Sequence, residues 1–419
     1  MKFICTSVDS LPAALAPRER AFSLFKASGR PGVGIVAGAL KGSLKRQGYR
    51  PSVPAWDLLQ LCLSVCAVDF AAPRRECADG WTRTLDLTVG LLEPVRWAPL
   101  IPKLETMLRL LTGDFWTLHF VPGGVEPPQG KGRALDCDCV SLLSGGLDSL
   151  IGGIDLVAQG YKPLLVSQKA HEDTDRQRRI AAAMGRSSTH LQASHGIYII
   201  GDREPSTRAR SLAFYAFAIV AASRVPLPVV DVYVPENGFI SINPPLVPGR
   251  VSSLSTRTTH PHFIQQLQEV LDDVGVGVRL QLPYKFHTKG QMLQSCLDQA
   301  RLTALAGDST SCGRYRTYNR QHCGRCVPCM IRRAAFLAWG PDTTKSYAYP
   351  SLLGSDKSSG PDDPMAAALA VLTVREKGLD RFLGASLAFA APAERPRYRS
   401  MLQAGIDELA ALLQHDGVL

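Results

Sequence analysis

The sequence predicts an α/β protein built on a parallel sheet, with a zinc-binding segment, an N-terminal α+β domain and a C-terminal helical segment. Strand-like and helix-like segments alternate between residues 137 and 234, and Pro- and Gly-rich or Ser-rich stretches divide the chain at residues 121–132 and 354–361. Four cysteines fall between residues 312 and 329. With 419 residues and 45% hydrophobic content, the chain is long enough for two or three domains of roughly 150 residues each.

The composition favours a soluble, cytoplasmic protein that does not contact a membrane. The longest apolar runs, at residues 58–68 and 211–223, are shorter than the ~20 residues that a spanning helix needs. Residues 1–5 lead into polar residues and not into the apolar core of an export signal. The chain has eleven cysteines, and in a reducing cytosol a tight cysteine cluster favours metal binding over disulfides.

The charge balance favours anionic ligands. The formal net charge is +10 at pH 7, which suits ligands such as ATP and does not exclude nucleic acid as a partner. The densest basic groups, at residues 176–179 and 395–399, are short. Each is typical of a solvated surface, so neither predicts a nucleic-acid interface by itself.

The first predicted domain covers residues 1–125. It combines a helix-like apolar stretch at residues 55–70 with strand-like alternation at residues 81–89 and 115–120. Residues 121–132 are expected to form a linker because of their Pro and Gly content. The third predicted region, residues 336–419, is helical, and its last helix is expected at about residues 398–414.

The second predicted domain, residues 135–335, shows strands and helices in alternation, which is typical of βαβ units on a parallel sheet. The predicted elements are, in chain order, residues 137–143, 147–159, 164–167, 176–184, 196–200, 209–222 and 229–234.

The first turn of this sheet reads SGGLDS, residues 144–149, between a buried strand and the start of a helix. Gly145 and Gly146 lack Cβ atoms, so backbone N–H groups can approach phosphate oxygens, while the hydroxyls of Ser144 and Ser149 add donors and the helix N-terminus adds positive potential. The alternative is an ordinary strand-to-helix turn with a serine cap.

The cysteines form the pattern C-x10-C-G-x-C-x2-C at Cys312, Cys323, Cys326 and Cys329. Cysteines two residues apart can direct both thiolates at one ion, Gly324 relieves backbone strain between them, and Cys312 completes a tetrahedron. This spacing predicts a structural Zn²⁺ site with no open coordination position. Reduced thiols without metal and an iron–sulfur cluster remain as alternatives.

SGGLDS resembles the PP-loop of the ATP pyrophosphatase superfamily. The cysteine pattern, followed by residues 331–333 (Ile-Arg-Arg), is similar to the QueC family of 7-cyano-7-deazaguanine synthases. The resemblance covers residues 135–335 and implies a Rossmann-like sheet of the HUP, or adenine nucleotide alpha hydrolase-like, type. The longer chain, with residues 79–83 (DGWTR) and 111–116 (LTGDFW), resembles the QueC-like proteins of the Qat anti-phage defence system.

The resemblance implies an acyl-adenylation that uses ATP and Mg²⁺. In this family a carboxylate attacks the α-phosphate, pyrophosphate leaves, and a nitrogen nucleophile displaces AMP to form an amide, which QueC dehydrates to a nitrile. The growing negative charge requires backbone donors, cations and a metal ion. ATP binding is therefore assigned to the turn residues, and Asp148 is also a candidate catalytic residue; the ATP-binding candidates are Ser144, Gly145, Gly146, Asp148 and Ser149.

Three basic residues are candidates for the reaction's cations. Arg208 and Arg210 open a helix, where two guanidiniums suit a leaving pyrophosphate. Arg210 with Ser211 stands where the family has Arg-Asn before a phenylalanine, so the likeness is approximate. Lys289 falls where these enzymes place a lysine before a helix near the nucleotide. Surface arginines and a solvated lysine are the alternatives.

Substrate residues are expected where the strand at residues 229–234 ends, because parallel sheets bind ligands at the carboxyl ends of their strands. From this position, Glu236 and Asn237 are candidates to pair with the edge of a purine-like ring, Arg257 is a candidate to hold the carboxylate and His260 is a candidate to handle a proton. A polar loop with ordinary turn chemistry is the alternative. Residues 167–172 (SQKAHE) do not reproduce QueC's Tyr-Gly-Gln-Arg-His segment, so an unchanged substrate or product does not follow.

The favoured hypothesis is an enzyme that adenylates a deazaguanine-type carboxylate and transfers it to an amine, with other Qat proteins as expected partners and a partner's amino group as one acceptor. The alternative is a PP-loop enzyme that modifies tRNA, for example by thiolation. Thiolation requires a reactive cysteine or a labile cluster, whereas Cys137 and Cys139, which precede the turn, are expected to be buried. A nucleotide-binding scaffold without turnover is the third hypothesis.

Overall fold

The chain folds around two sheets. The computed structural model describes residues 1–169, 173–205, 207–247, 257–340, 342–354 and 363–419. The predicted flexible stretch at residues 354–361 lies outside the described residues except for Gly354, and so do residues 170–172 of the segment that departs from QueC.

The first sheet belongs mainly to the N-terminal region. Its strands, in spatial order, are β5 (Phe115–Pro122), β4 (Thr84–Leu91), β1 (Lys2–Thr6), β2 (Glu19–Leu24), β3 (Val33–Val36) and β9 (Ile197–Tyr198). The predicted strands at residues 81–89 and 115–120 are confirmed as β4 and β5. All pairs among β1 to β5 are parallel, whereas the sequence predicted a mixed α+β arrangement, because alternation along one strand does not specify the direction of its neighbours.

The helices of the N-terminal region are α1 (Leu40–Arg46), α2 (Val53–Ala71), α3 (Pro94–Trp97) and α4 (Ile101–Thr112). Helix α2 confirms the helical stretch predicted at residues 55–70. By length and composition it could cross a membrane, but 83% of its most apolar window is buried inside the protein. This burial fits the core helix of a soluble protein.

The second sheet is entirely parallel. Its spatial order is β11 (Val278–Gln281), β10 (Val230–Tyr233), β6 (Cys139–Leu142), β7 (Pro163–Gln168) and β8 (His190–Ala193). The helices that accompany it are α5 (Leu147–Ala158), α6 (Thr174–Ala183), α7 (Arg210–Ala222), α8 (Gly238–Ile242) and α9 (Pro261–Asp273). The predicted strand–helix alternation and parallel sheet are confirmed.

One predicted strand belongs elsewhere. Residues 196–200 were expected to continue the second sheet, but the chain leaves that sheet after β8 and residues 197–198 form β9, which pairs antiparallel with β3. The backbone N–H of Ala37 donates to Gly196 O at 2.9 Å. This crossing of the chain ties the two sheets together.

Helices α2 and α7 pack against each other between the two sheets. One hydrophobic cluster contains Trp56 and Leu63 of α2, Phe217 of α7, Phe3 of the first sheet and Val140 of the second. The first two predicted domains therefore share a continuous core, because α2 packs on the first sheet, α7 packs on the second, and the two helices contact each other.

The region from residue 289 to the C-terminus is largely helical, and it includes the helical segment predicted at residues 336–419. Its helices are α10 (Lys289–Ser295), α11 (Gln299–Leu305), α12 (Val327–Trp339), α13 (Asp363–Lys377), α14 (Leu379–Leu383) and α15 (Arg395–His415). Helix α12 packs against α10 and α15, and α15 confirms the last predicted helix. The predicted domain boundary at residues 335 and 336 falls within α12, so the C-terminal segment continues directly from the preceding region.

Candidate functional site

The glycine turn lies between β6 and α5, as the sequence predicted. Gly145 adopts a φ of +90°, a left-handed conformation that a side chain would strain. The Oγ atoms of Ser144 and Ser149 lie 3.0 Å apart, and the N–H of Gly146 donates to Ser144 Oγ at 3.1 Å. Two hydroxyls are thereby held beside the N-terminus of α5, where an anion is favoured.

Asp148, in the first turn of α5, is buried and fully hydrogen-bonded. One carboxylate oxygen accepts hydrogen bonds from Asn237 Nδ2 at 2.7 Å and Asn237 N at 3.2 Å, and the other accepts from Lys289 Nζ. Burial alone raises the pKa of a carboxyl, but Lys289, with hydrogen bonds from Glu236 and Asn237, lowers the pKa of Asp148 to about 2. Asp148 is therefore ionised at neutral pH.

Glu236 is the second buried carboxyl group at this point. Burial and the neighbouring Asp148 carboxylate raise the pKa of Glu236 well above its usual value. Two carboxyl groups in contact cannot both ionise at low cost. A proton shared by this pair is therefore held preferentially on Glu236, and the negative charge on Asp148.

Asn237 organises the site from within the protein. Its side-chain oxygen accepts from Ile240 N at 2.9 Å and caps α8, while its amide nitrogen binds Asp148. Both ends of the amide are occupied and the residue is fully buried. The expected pairing of Asn237 with a purine edge does not fit this geometry, since no part of the amide faces a cavity.

A cavity of about 480 Å³ opens on the glycine turn. The walls include Ser144, Ser149, Glu236 and Lys289. A second cavity of about 480 Å³ shares the two serines and Glu236 with the first and extends to Arg210 at the start of α7. The structure thus brings together Ser144, Asp148, Ser149, Glu236 and Lys289, with Arg210 in the adjoining cavity.

The opposite wall was not identified from the sequence. Thr310, Ser311 and Gly313 line the first cavity, and the N–H of Thr310 donates to Gly145 O at 3.0 Å. These residues directly precede or follow Cys312. The only signal in the sequence was a run of small polar residues, 309–311, before the first cysteine of the cluster.

Arg208 has different contacts from those predicted. Its guanidinium donates to Thr112 O at 2.7 Å and lies 4.7 Å from the ring centre of Trp81. Burial, with the nearby Arg74 cation, lowers the pKa of Arg208 to about 10. Although Arg208 borders the second cavity, these contacts hold its side chain against the N-terminal domain, whereas Arg210 is exposed.

Arg257 and His260 lie apart from the glycine turn. They border another cavity, of about 680 Å³, with Phe382 and Phe389 of the C-terminal segment, and this cavity shares Asn243 with the one at the glycine turn. His260 is the N-cap of α9, since its Nδ1 accepts from His262 N at 3.3 Å. The predicted roles in holding a carboxylate and moving a proton at the ATP site are therefore not supported by their positions.

The position of His260 leads to a pH prediction. Burial, with the nearby Arg257 cation, lowers the pKa of His260 from 6.5 to about 4. The stability that its neutral form contributes is present above pH 6.5 and is lost as the pH falls towards 4, by about 2 kcal/mol between pH 7 and 5. The variant His260→Asn keeps a capping side chain but has no imidazole to titrate. Between pH 7 and 5 we expect its free energy of unfolding to fall by about 2 kcal/mol less than that of the unmodified protein. Urea unfolding at both pH values measures this, and equal losses would contradict it.

The four predicted cysteines converge. Their sulfur atoms all lie within 4.8 Å of one another and all four residues are buried; Cys312 and Cys326 are 3.9 Å apart, and Cys323 and Cys329 are 3.8 Å apart. A tetrahedral ion with Zn–S bonds of about 2.3 Å spaces its ligands about 3.8 Å apart. The cluster therefore fits Zn²⁺, whereas an iron–sulfur cluster holds its cysteines on separate iron atoms.

The backbone around the cysteines also suits thiolates. The N–H groups of Arg314 and Cys323 point at Cys312 Sγ, each at 3.3 Å, and Cys326 N donates to Cys323 Sγ at 3.2 Å. Gly324 has a φ of +89°, and a Cβ atom there would collide with Tyr349 O. This confirms the structural need for glycine that its place between the cysteines suggested.

The sequence model of the family described as "Queuosine biosynthesis protein QueC" matches residues 258–340. This region contains Lys289 and all four cysteines, and it does not include the glycine turn or the first sheet. Among curated proteins and among solved structures, no similar protein was found.

Proposed function

We propose, from the QueC-like family that the match over residues 258–340 supports, that this chain is an ATP-dependent carbon–nitrogen ligase. Its substrate would be a 7-deazaguanine-type carboxylate, which it adenylates with release of pyrophosphate and then transfers to an amine. The observation that carries the proposal is the glycine turn, whose two serines share one cavity with Asp148 and Lys289.

In the first step, a carboxylate oxygen of the substrate attacks the α-phosphorus and the bond to the bridging oxygen of the β-phosphate breaks. Pyrophosphate leaves with that bonding pair. The N–H groups at the start of α5 and the two serine hydroxyls would bind phosphate oxygens. Lys289 and Arg210 would stabilise the charge that develops during this step.

Asp148 is the residue that would ligate Mg²⁺ in this proposal. Its carboxylate is ionised and borders the cavity, and oxygen ligands are those that Mg²⁺ prefers. When bound, the ion would neutralise charge on the phosphate oxygens. Asp148 also holds Lys289 by an ion pair, so one carboxylate would organise both positive charges.

In the second step, the amine nitrogen attacks the acyl carbon. The bond between that carbon and the phosphate oxygen of AMP breaks, AMP leaves with its electron pair, and the nitrogen loses a proton. The acceptor in this proposal is an amino group of a partner protein, as in a QatC-like role in anti-phage defence; free ammonia would give an amide that could proceed to a nitrile. Intact-mass analysis of partner proteins incubated with the enzyme would measure the transfer. If the partner proteins gain no mass, the proposal that a partner's amino group is the acceptor is contradicted.

The tRNA-thiolation alternative receives less support. It needs a nucleophilic cysteine or a labile cluster, but burial raises the pKa of the two thiols that precede the turn in the chain, Cys137 and Cys139, and the four-cysteine group fits Zn²⁺. Protonated, buried thiols are poor nucleophiles.

The test is release of AMP and pyrophosphate from ATP, Mg²⁺ and 7-carboxy-7-deazaguanine. We expect release that depends on the deazaguanine and that falls at least ~100-fold in Ser144→Ala and Asp148→Ala, because each removes a group at the phosphates. Ser141→Ala is the matched control, since Ser141 is buried in the preceding strand β6 and borders neither cavity. AMP release that does not depend on the deazaguanine, or that is unchanged in Ser144→Ala, would contradict the proposal.

A further inference from the structure

We propose that the two segments flanking the phosphate-loop region each supply a carboxylate that positions a cation of the ATP site. Asp69, from α2 of the N-terminal region, would position Arg210 through the start of α7. Glu408, from α15 of the C-terminal segment, would position Lys289 through the start of α10. The inference rests on the proposed ATP site and adds the residues that hold its cations in place.

Asp69 joins the N-terminal region to α7. It is fully buried, and one of its oxygens accepts from Arg208 N at 2.6 Å and from Ala209 N at 2.7 Å. These two N–H groups come immediately before Arg210, the first residue of α7. A carboxylate that accepts from these N–H groups stabilises the helix start and fixes its position.

A buried ion network fixes the orientation of Asp69. Its second oxygen accepts from Arg83 Nη2 at 2.5 Å, and the same nitrogen donates to Asp114 Oδ2 at 2.6 Å. Arg74 then binds both oxygens of Asp114, at 2.8 and 2.9 Å. Arg83 and Asp114 belong to the DGWTR and LTGDFW motifs, so both motifs act on the ATP site through Asp69.

Glu408 has the equivalent position on the other side. It accepts a hydrogen bond from Thr288 Oγ1, and Thr288 is the N-cap of α10, accepting in turn from Gln291 N at 3.0 Å. Lys289 is the next residue, and its amine binds Asp148. A Cβ atom on Gly290 would collide with Glu408 Oε1, so this glycine allows the carboxylate to approach the backbone.

Neither carboxylate borders the two cavities at the turn. Asp69 and Glu408 are therefore positioning residues, and the cations that they place do the binding. In Asp69→Asn the amide nitrogen must face either Arg83 or the N–H groups before α7. In either orientation the amide NH₂ group, a hydrogen-bond donor, faces another donor. The start of α7 would therefore shift, and Arg210 with it.

The experiment compares Asp69→Asn and Glu408→Gln with two controls on the same helices. Asp57→Asn alters a buried carboxylate of α2 that accepts from Leu92 N at 3.0 Å and Glu93 N at 2.9 Å. Asp416→Asn alters the carboxylate that follows α15 and pairs with Arg333 at 2.7 Å. Thermal unfolding of all four variants shows how much each change destabilises the fold.

The decisive readout is ATP affinity with Mg²⁺, measured by calorimetry below all melting temperatures. We expect all four variants to melt earlier, but only Asp69→Asn and Glu408→Gln to weaken ATP binding, by at least ~10-fold, with the controls within ~2-fold of the unmodified protein. Unchanged affinity in those two, or equal losses in the controls, would overturn the inference. ATP binding without any AMP release would instead refute the ligase proposal alone, and no ATP binding by the unmodified protein would refute both.

Discussion

Removal of the metal is expected to unfold the segment that contains the four cysteines. Their hydrophobic cluster contains only the cysteines, with Tyr315 and Tyr318 packed against it, so the segment has little apolar core of its own. We expect Cys326→Ser to release the metal and to cost at least ~3 kcal/mol, because the free energy of binding a structural Zn²⁺ is part of the folding free energy. Metal content and thermal unfolding measure both effects.

Loss of the metal should also weaken ATP binding in the proposed cavity. Thr310, Ser311 and Gly313 form one of its walls and stand beside Cys312, so a disordered metal segment would weaken ATP binding as well. Cys77→Ser is the matched control, because Cys77 is a half-buried cysteine outside the cluster. We expect colourless protein with about one Zn²⁺ per chain; coloured protein with iron, or unchanged stability after metal removal, would contradict the site.

Variants of the ion pair between Asp148 and Lys289 should show that its effect on stability is distinct from its effect on activity. Both side chains are more than nine-tenths buried, so Lys289→Met leaves an ionised carboxylate without its cation. We expect this change to cost about 3–5 kcal/mol, as is typical when one partner of a buried pair is removed. AMP release should also be lost, because the cation at the phosphates is gone.

The double variant Asp148→Asn with Lys289→Met removes both charges. We expect it to recover most of the lost stability, because no unpaired charge is left buried. We expect no recovery of AMP release, because the cation that stabilises the phosphate charge is still absent. Urea unfolding and pyrophosphate release measure the two effects separately. A double variant as unstable as Lys289→Met would show that the pair is not coupled.

Lys285→Met provides the control for this series. Lys285 pairs with Glu394 at 2.7 Å, but both side chains are about one-third exposed. Solvent screens such a pair, so its loss should cost less than ~1 kcal/mol. An equal cost at Lys285 and Lys289 would mean that burial does not determine the strength of the pair at Asp148.

The patterns that predicted the fold correctly were local ones. Each strand or helix of the alternating region, the two adjacent glycines after a buried strand, and the cysteines two residues apart are contained in a short stretch of chain. The contacts that the sequence did not indicate are made with remote residues. Asn237 was assigned to a purine but binds Asp148, 89 positions away, and Arg208 was assigned to pyrophosphate but donates to Thr112, 96 positions away.

The same distinction applies to the N-terminal region and to His260. Strand alternation identified β4 and β5, yet their parallel pairing depends on crossovers through helices and on strands from other parts of the chain. His260 looked like a proton carrier beside a polar loop. Its ring instead caps α9 and lies 4.6 Å from that of Phe389, a contact that only the folded C-terminal segment creates.

By itself, the sequence determined the glycine turn and the four-cysteine site, because each follows from residue spacing over fewer than about twenty positions, and it determined the parallel sheet through the alternation of short strands and helices between residues 137 and 234. Only the tertiary structure decided which charges meet at the turn. Lys289 reaches Asp148 across 141 positions, and Asp69 reaches the start of α7 across 139. The physical reason is that buried charges must be paired, and the chain can choose those partners only once its helices and sheets have packed.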